Sequence, residues 1–500
     1  MLFPNEPLTG SALFEQIFRP EDVPDARLFR RLKTTGDSLL LTMLGEGDER
    51  PQKERRAERR GASRLYANER VDADLLCQHA EQHTVEAIRD LPRVLVAHDT
   101  SEFDEHGRHE PTDAGPLRSN SACGYLVHHG VVLDPDNDAR LGVLYMHAWT
   151  RPYPRGKRPE GKVRVGREWD NEDRKWSWGV EQAHKALKRS GFKGHVRHLA
   201  DHEGSSYATL VKAKRRKRDY VARTKVDRNI AEGSGKLFEY LLEQPVAGRW
   251  TTMVEEDPKS AERGVMRRRR TATVEMRYAS VTLMASSAYK GRSYRKGLRL
   301  SAVYVREPNP PPGSEPLSWM LLSIAPVTSA REAEEVVLDY KNRWGVEDMN
   351  KVFKSGCHAE LAVVPDLAAF RRLMAVAWPI ACHVVRWTYA ARVTPLEPAA
   401  PHVGNDLLEA LKLACRYHGL SLPRRPWTLS DLISRLAQMG GYEPRKGQLP
   451  GWKVIWRGWR VLNNFWNHQR FIDEHAPRER APSRRRKRVL PAAKEAAVAA

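Results

Sequence analysis

Apolar positions recur at helical spacing in Ser11 to Phe18, Arg27 to Leu44 and Ala73 to Leu91, so residues 10 to 90 read as helices. The charged stretch Gly45 to Gly61 between them reads as partly loop. At Arg93 the period changes. Val94-Leu95-Val96-Ala97 is a short apolar run suited to a buried strand, and Tyr125 to Leu133 and Leu141 to Trp149 are two more strand-like runs. Turn residues Asp134 to Asp138 join that pair. Glu172 to Arg189 returns to helical spacing, His195 to Ala200 to strand, Tyr207 to Lys214 to helix, and Asp219 to Lys225 to strand.

Three strands, a helix, a strand, a helix and a strand is the element order of a ribonuclease-H-like core. Trp250 to Ile324 is rich in β-branched residues and reads as an antiparallel insertion. A long helix is expected from Ser329 to about Lys354, and beyond Asp366 the chain is helical again, with breaks near 394 to 404 and 419 to 426. No internal repeat is visible. The expected class is therefore α/β: a ribonuclease-H-like core carrying an antiparallel β insertion, flanked by α-helical N- and C-terminal domains. The expected boundaries are 1–75, 76–365 (insertion about 228–326) and 366–475, with 476–500 a disordered basic tail.

Length agrees, since 500 residues exceed what one core usually absorbs. Apolar residues form 41% of the chain, which excludes wholesale disorder. Charge changes the picture most. Lys and Arg number 84 against 63 Asp and Glu, a net +21 that calls for a polyanionic partner. The excess is clustered at Lys53 to Arg60, Arg151 to Arg158, Lys212 to Arg218, Arg267 to Arg270, Lys290 to Lys296 and Arg484 to Arg488. One such cluster would pass as a solvated loop; six point to a phosphate backbone. The most apolar segment, Leu367 to Val385, is interrupted by Arg371, Arg372, Pro379 and His383, and no secretory signal is visible. Five scattered cysteines without a C-x-x-C pair argue against a disulfide scaffold or zinc ribbon. A cytoplasmic, nucleoid-associated protein with no membrane partner is expected.

Candidate chemistry lies in acids at strand ends. Asp99 follows Val94 to His98, and Asp201 follows Val196 to Ala200. Side chains there converge on a crevice, although a lone Asp in such a place also serves as a turn former or helix cap. Tyr340, Arg343, Glu347 and Lys354, at spacings of 3, 4 and 7, fall within an arc of about 60° on a helix. A core stripe would be aliphatic; the alternatives are a mixed-charge solvent face or a metal-binding Glu flanked by phosphate-binding groups. Three carboxylates suit two magnesium ions, with manganese as a substitute, in an in-line phosphoryl transfer.

Tyr340-x2-Arg343-x3-Glu347-x6-Lys354 resembles the signature of the insertion-sequence-four family of bacterial DDE transposases. Supporting stretches are Val96 to Thr100, Leu199-Ala200-Asp201, Tyr220 to Lys225, Pro316 to Trp319, and the Trp452, Trp456 and Trp459 set in GWKVIWRGW. The resemblance spans about residues 60 to 470. It implies that Asp99, Asp201 and Glu347 are catalytic metal ligands, that Tyr340, Arg343 and Lys354 contact phosphates, and that Trp319 stacks on a flipped base. It further implies that Arg223 touches the DNA backbone; Arg27, Arg30 and Arg31 lie ahead of that span, where the match is loose, and are candidates for recognising the transposon end. The expected partners are double-stranded transposon ends, target DNA and a second copy of the chain in a synaptic dimer, with a hairpin intermediate. His202 and Glu203 after Asp201 depart from the Arg common in relatives. A nuclease or a DNA-binding regulator on the same fold is the rival reading. The three C-terminal tryptophans read as one packing face, for a core or a dimer; His128-His129 and Cys357-His358 read as incidental.

Overall fold

A computed structural model describes residues 10–475 apart from 24, 43–51, 106–110, 119–121, 138, 155–156, 170, 255, 257–266, 358, 360–361 and 446–447. The basic tail expected beyond 475 lies outside the described residues. Four helices precede the first strand: α1 (Gly10–Ile17), α2 (Ala26–Thr42), α3 (Gln52–Tyr66) and α4 (Ala73–Ile88). The charged stretch expected to be partly loop is helical from Gln52 onward, and Ser38 of α2 donates to Glu58 of α3 at 2.8 Å. Asp72 caps α4 by accepting from the Asp74 and Leu75 amides, satisfying donors that the helix leaves open.

The next stretch supplies β1 (Arg93–Asp104), β2 (Gly115–Pro116), β3 (Cys123–Leu133), β4 (Arg140–Trp149), α5 (Arg174–Arg189), β5 (His195–Ala200), α6 (Tyr207–Arg215) and β6 (Asp219–Thr224). Then come α7 (Leu237–Glu243), β7 (Gly248–Val254), β8 (Arg270–Leu283), β9 (Leu298–Arg306) and β10 (Ser318–Ser323). The chain is thus mixed α/β. The ten strands among the described residues form one sheet, in the order β4-β3-β1-β5-β6-β10-β9-β8-β7, with β2 sharing the far edge of β3. Only β1 with β5 and β5 with β6 are parallel. The expected insertion is antiparallel, and it extends the same sheet because β10 pairs directly with β6. Val94 to Ala97 have no exposed surface, as befits a strand covered on both faces.

Ser329 and Glu332 form a capping box that starts α8 (Ala330–Asn342). The single helix expected to reach Lys354 does not form. The chain turns at Arg343 and Trp344, restarts as α9 (Gly345–Lys351), and ends in a π turn over Val352–Gly356. The amides of Arg343, Trp344, Val346 and Glu347 each bond three residues back, and the side chains of Leu133 and Arg140 lie close over Gly345.

Asp366 caps α10 (Leu367–Val393), followed by α11 (Ala400–Val403), α12 (Asn405–Tyr417), α13 (Leu429–Met439) and α14 (Trp452–His475). α10 is long and apolar enough to cross a membrane, but 83% of its apolar window is buried inside the protein. It packs on β4, α2, α4, α13 and α14. Buried Arg386 within it donates to the Leu141 carbonyl at 2.6 Å. Buried side chains from Leu13 in α1 to Leu462 in α14 form one connected core, and a second cluster lies where α6 and α7 cover the sheet. Trp452, Trp456 and Trp459 belong to the first, packed within the chain. Their helix approaches α13 so closely that a Cβ on Gly458 would lie 1.6 Å from the Leu436 carbonyl oxygen.

Candidate active site

Register brings the first two acids together. β1 and β5 run parallel with Ala97 beside Leu199, so two residues further on Asp99 stands level with Asp201. Asp201 is the first residue after β5, as expected, and it also caps the short turn His202–Ser205, accepting from the Glu203 amide at 2.9 Å. Asp99 differs from expectation: it sits inside β1, paired with His129 of β3, and not at the strand's end. Only the pairing with β5 has stopped there, which opens one edge of the strand. Alternation along β1 sends Asp99 to the face covered by α9, while His98 and Thr100 go to the face covered by α5. Asn350 of α9 donates to Asp99 Oδ2 at 2.7 Å.

Glu347 lies one helical turn before Asn350, on the same face of α9. Burial, chiefly, and the negative charge of Glu347 raise the Asp99 pKa to about 6; Arg343 and Asn350 oppose the shift, and Asp201 adds to it. The three expected acids are therefore gathered into one electrostatically coupled group. Their stripe partners join them by a different route than one helical face. Tyr340 closes α8 and Arg343 lies in the turn, both buried, whereas Lys354 lies in the π turn with its Nζ 5.4 Å from the centroid of Phe103 on β1. Burial disfavours the Arg343 cation, but Tyr340, Asp99 and Asp201 more than offset that and hold its pKa above the ordinary value.

β10 and β6 deliver the remaining groups. Trp319 sits edge-on to Tyr340, ring centroids 5.8 Å apart. Arg223, opposite Leu321 in the ladder, donates to the Ser318 carbonyl at 2.9 Å, and its pKa is lowered by burial and by nearby Arg343. The Nε atoms of Arg223 and Arg343 are buried without a hydrogen-bond partner among the described residues. Arg27, Arg30 and Arg31 are not part of this group; they lie on the exposed side of α2, which packs on α1, α3 and α10.

Two features were not foreseen. Asn350 could have been found from its spacing, since it follows Glu347 by one turn. The second is a chain of buried histidines on the opposite face of the sheet. His98 contacts Tyr145 at 2.6 Å and His198 at 2.8 Å, and His198 contacts His184 of α5 at 2.8 Å. His128, read from sequence as incidental, is fully buried against Thr100 and the Trp176 ring. Burial lowers His98 to about 3 and His184 to about 4, so these rings are neutral packing and hydrogen-bonding groups. Around Asp201, Glu203 is ion-paired with Arg118 and with buried Lys175.

Among the described residues, no three His, Cys, Asp or Glu side chains stand at metal-ligating distances from a common point, these carboxylates included. The donor set nonetheless fits a hard divalent cation. It is all carboxylate oxygen, and the Asp99 pKa is raised first by burial and then by the Glu347 charge, two effects that a bound cation would oppose. No protein-family model matches the chain.

Proposed function

We propose that the chain is a cut-and-paste DNA transposase of the DDE type, built on a ribonuclease-H-like core and similar in its motifs to the transposase of transposon five. One observation carries the reading: Asp99, Asp201 and Glu347, far apart in sequence, form one coupled acidic group beside Arg343, Tyr340 and Trp319. The strand order β4-β3-β1-β5-β6, with only the last three mutually parallel, supports the core assignment.

Asp99, Asp201 and Glu347 would hold magnesium or manganese, which when bound activates water and neutralises charge on the phosphate. Asn350 fixes the Asp99 carboxylate. Arg343, set between the acids and Tyr340, holds a non-bridging phosphate oxygen, and the Nε atoms of Arg343 and Arg223, unpaired among the described residues, offer donors toward the DNA backbone. Lys354 supplies a further cation above Phe103. Water first displaces the 3′-oxygen at the transposon end, which leaves with a proton. The freed 3′-hydroxyl then attacks the opposite strand, giving a hairpin, or later attacks target DNA within a dimer. Trp319 offers a face for the base that must leave the duplex.

Magnesium-dependent cleavage of candidate end sequences tests the reading, with Glu347→Ala expected to lower the rate at least a thousandfold and to spare binding. End-specific binding by wild type with no cutting in magnesium or manganese would overturn it. Strand transfer from a pre-cleaved end separates a transposase from a plain nuclease.

A further inference from the structure

A cleft of about 620 Å³ lies between α5 and α6, on the sheet face that carries the histidine chain and not the acids. Each helix contributes one stripe to it. On α5, Arg174, Trp178, Glu181 and Lys185 follow at helical spacing, and on α6, Thr209, Lys212 and Arg216 do the same. Lys212 reaches across to donate to Ser177 at 3.0 Å. The described lining contains five cations (these four and Arg215) and one carboxylate, Glu181, already engaged by Arg218 at 3.4 Å and Arg216 at 3.7 Å. At one end, Trp169 and Trp178 meet edge to face with centroids 5.6 Å apart, half-buried. The chain leading to Trp169 adds exposed Arg164 and Arg167.

This arrangement concentrates like charge. Lys212 is made less willing to hold its proton by burial and by Arg174 and Arg216, a repulsion that a bound anion would remove. Arg174 and Lys185 are about 16 Å apart along the α5 axis, a span of about five phosphates on one strand. Cations on both walls with an aromatic end suit a nucleic-acid strand better than a single phosphate.

We infer that the α5–α6 cleft is a second nucleic-acid site, separate from the acidic group, which grips DNA by its phosphates without regard to sequence. It needs none of the three acids, so it stands or falls apart from the cutting reaction. The test is fluorescence anisotropy with a labelled duplex of scrambled sequence, titrated in salt at constant pH. Lys212→Gln with Arg215→Gln, both exposed in the native fold, is expected to weaken binding tenfold or more at low salt. It should also flatten the slope of log affinity against log salt by about 2. Glu181→Gln is the reciprocal variant and is expected to tighten binding several-fold, so the inference remains testable should the double variant fold poorly. A wild-type salt slope in a folded double variant, or unchanged affinity in Glu181→Gln, would overturn it. So would polyglutamate displacing the duplex at equal charge concentration, since an acidic protein would then be the better fit. Retained cutting of specific ends with a failed salt test would remove this site alone, and the converse result would remove only the transposase reading.

Discussion

Asp99 shows how a buried carboxylate is kept at a cost to the fold. Its pKa of about 6 lies above the ordinary 3.8, so the folded chain binds more protons than the unfolded chain between about pH 4 and 6. Stability from this residue therefore rises as pH falls through that window. At pH 8 the ionised group costs up to about 3 kcal/mol. Asp99→Asn, compared with wild type in EDTA by thermal melting, is expected to melt higher at pH 8 and to lose that advantage near pH 4. Equal melting points at pH 8 would contradict the assignment. At this scale Asp99, Asp201 and Glu347 could be singled out as candidates from sequence, because acid type, neighbouring apolar runs and the Tyr-Arg-Glu-Lys spacing are all local signals. Asn350 touching Asp99 and His128 packing on Trp176 were not legible, since each depends on which strand or helix arrives from elsewhere in the chain.

Elements were legible wherever the hydrophobic period was long and regular, as in β5, whose bounds are as expected, and α5, which starts only two residues late. The long helix from Ser329 shows the limit. Periodicity continues across Arg343 and Trp344, so it cannot reveal the two-residue switch to bonds three residues back. A close approach joins the last two long helices. A side chain on Gly458 would have to share space with the Leu436 carbonyl, and one on Gly440 would lie 1.8 Å from the Val454 carbonyl. Gly458→Ala is expected to lower stability by about 2–4 kcal/mol in chemical denaturation, because backbone must move. Gly451→Ala, where a Cβ meets nothing within 4 Å, serves as the neutral comparison.

At the scale of the molecule, charge foretold a polyanionic partner but not its location, because net charge carries no address. The structure puts cations both around the acidic group and across the sheet, between α5 and α6. Length and composition suggested separate domains; the largest buried cluster gathers side chains from helices between α1 and α14, α10 among them. Calorimetry of the whole chain is therefore expected to show one dominant cooperative transition; a well-resolved early peak that disappears on deleting residues 1–66 would contradict this.

The N-terminal helices also depend on partners made much later. Arg372 of α10 donates to the carbonyls of Tyr66 and Val71, each across a sequence separation of about 300 residues. At ribosomal rates of about 5–20 residues per second, that gap corresponds to roughly 15 to 60 seconds of synthesis. During that interval α1 to α4 have been made without the helix that covers them, and their apolar faces are open to chaperones and to other nascent chains. Output of functional protein in the cell is then set as much by how fast and how well the second half is translated as by the equilibrium stability of the finished fold.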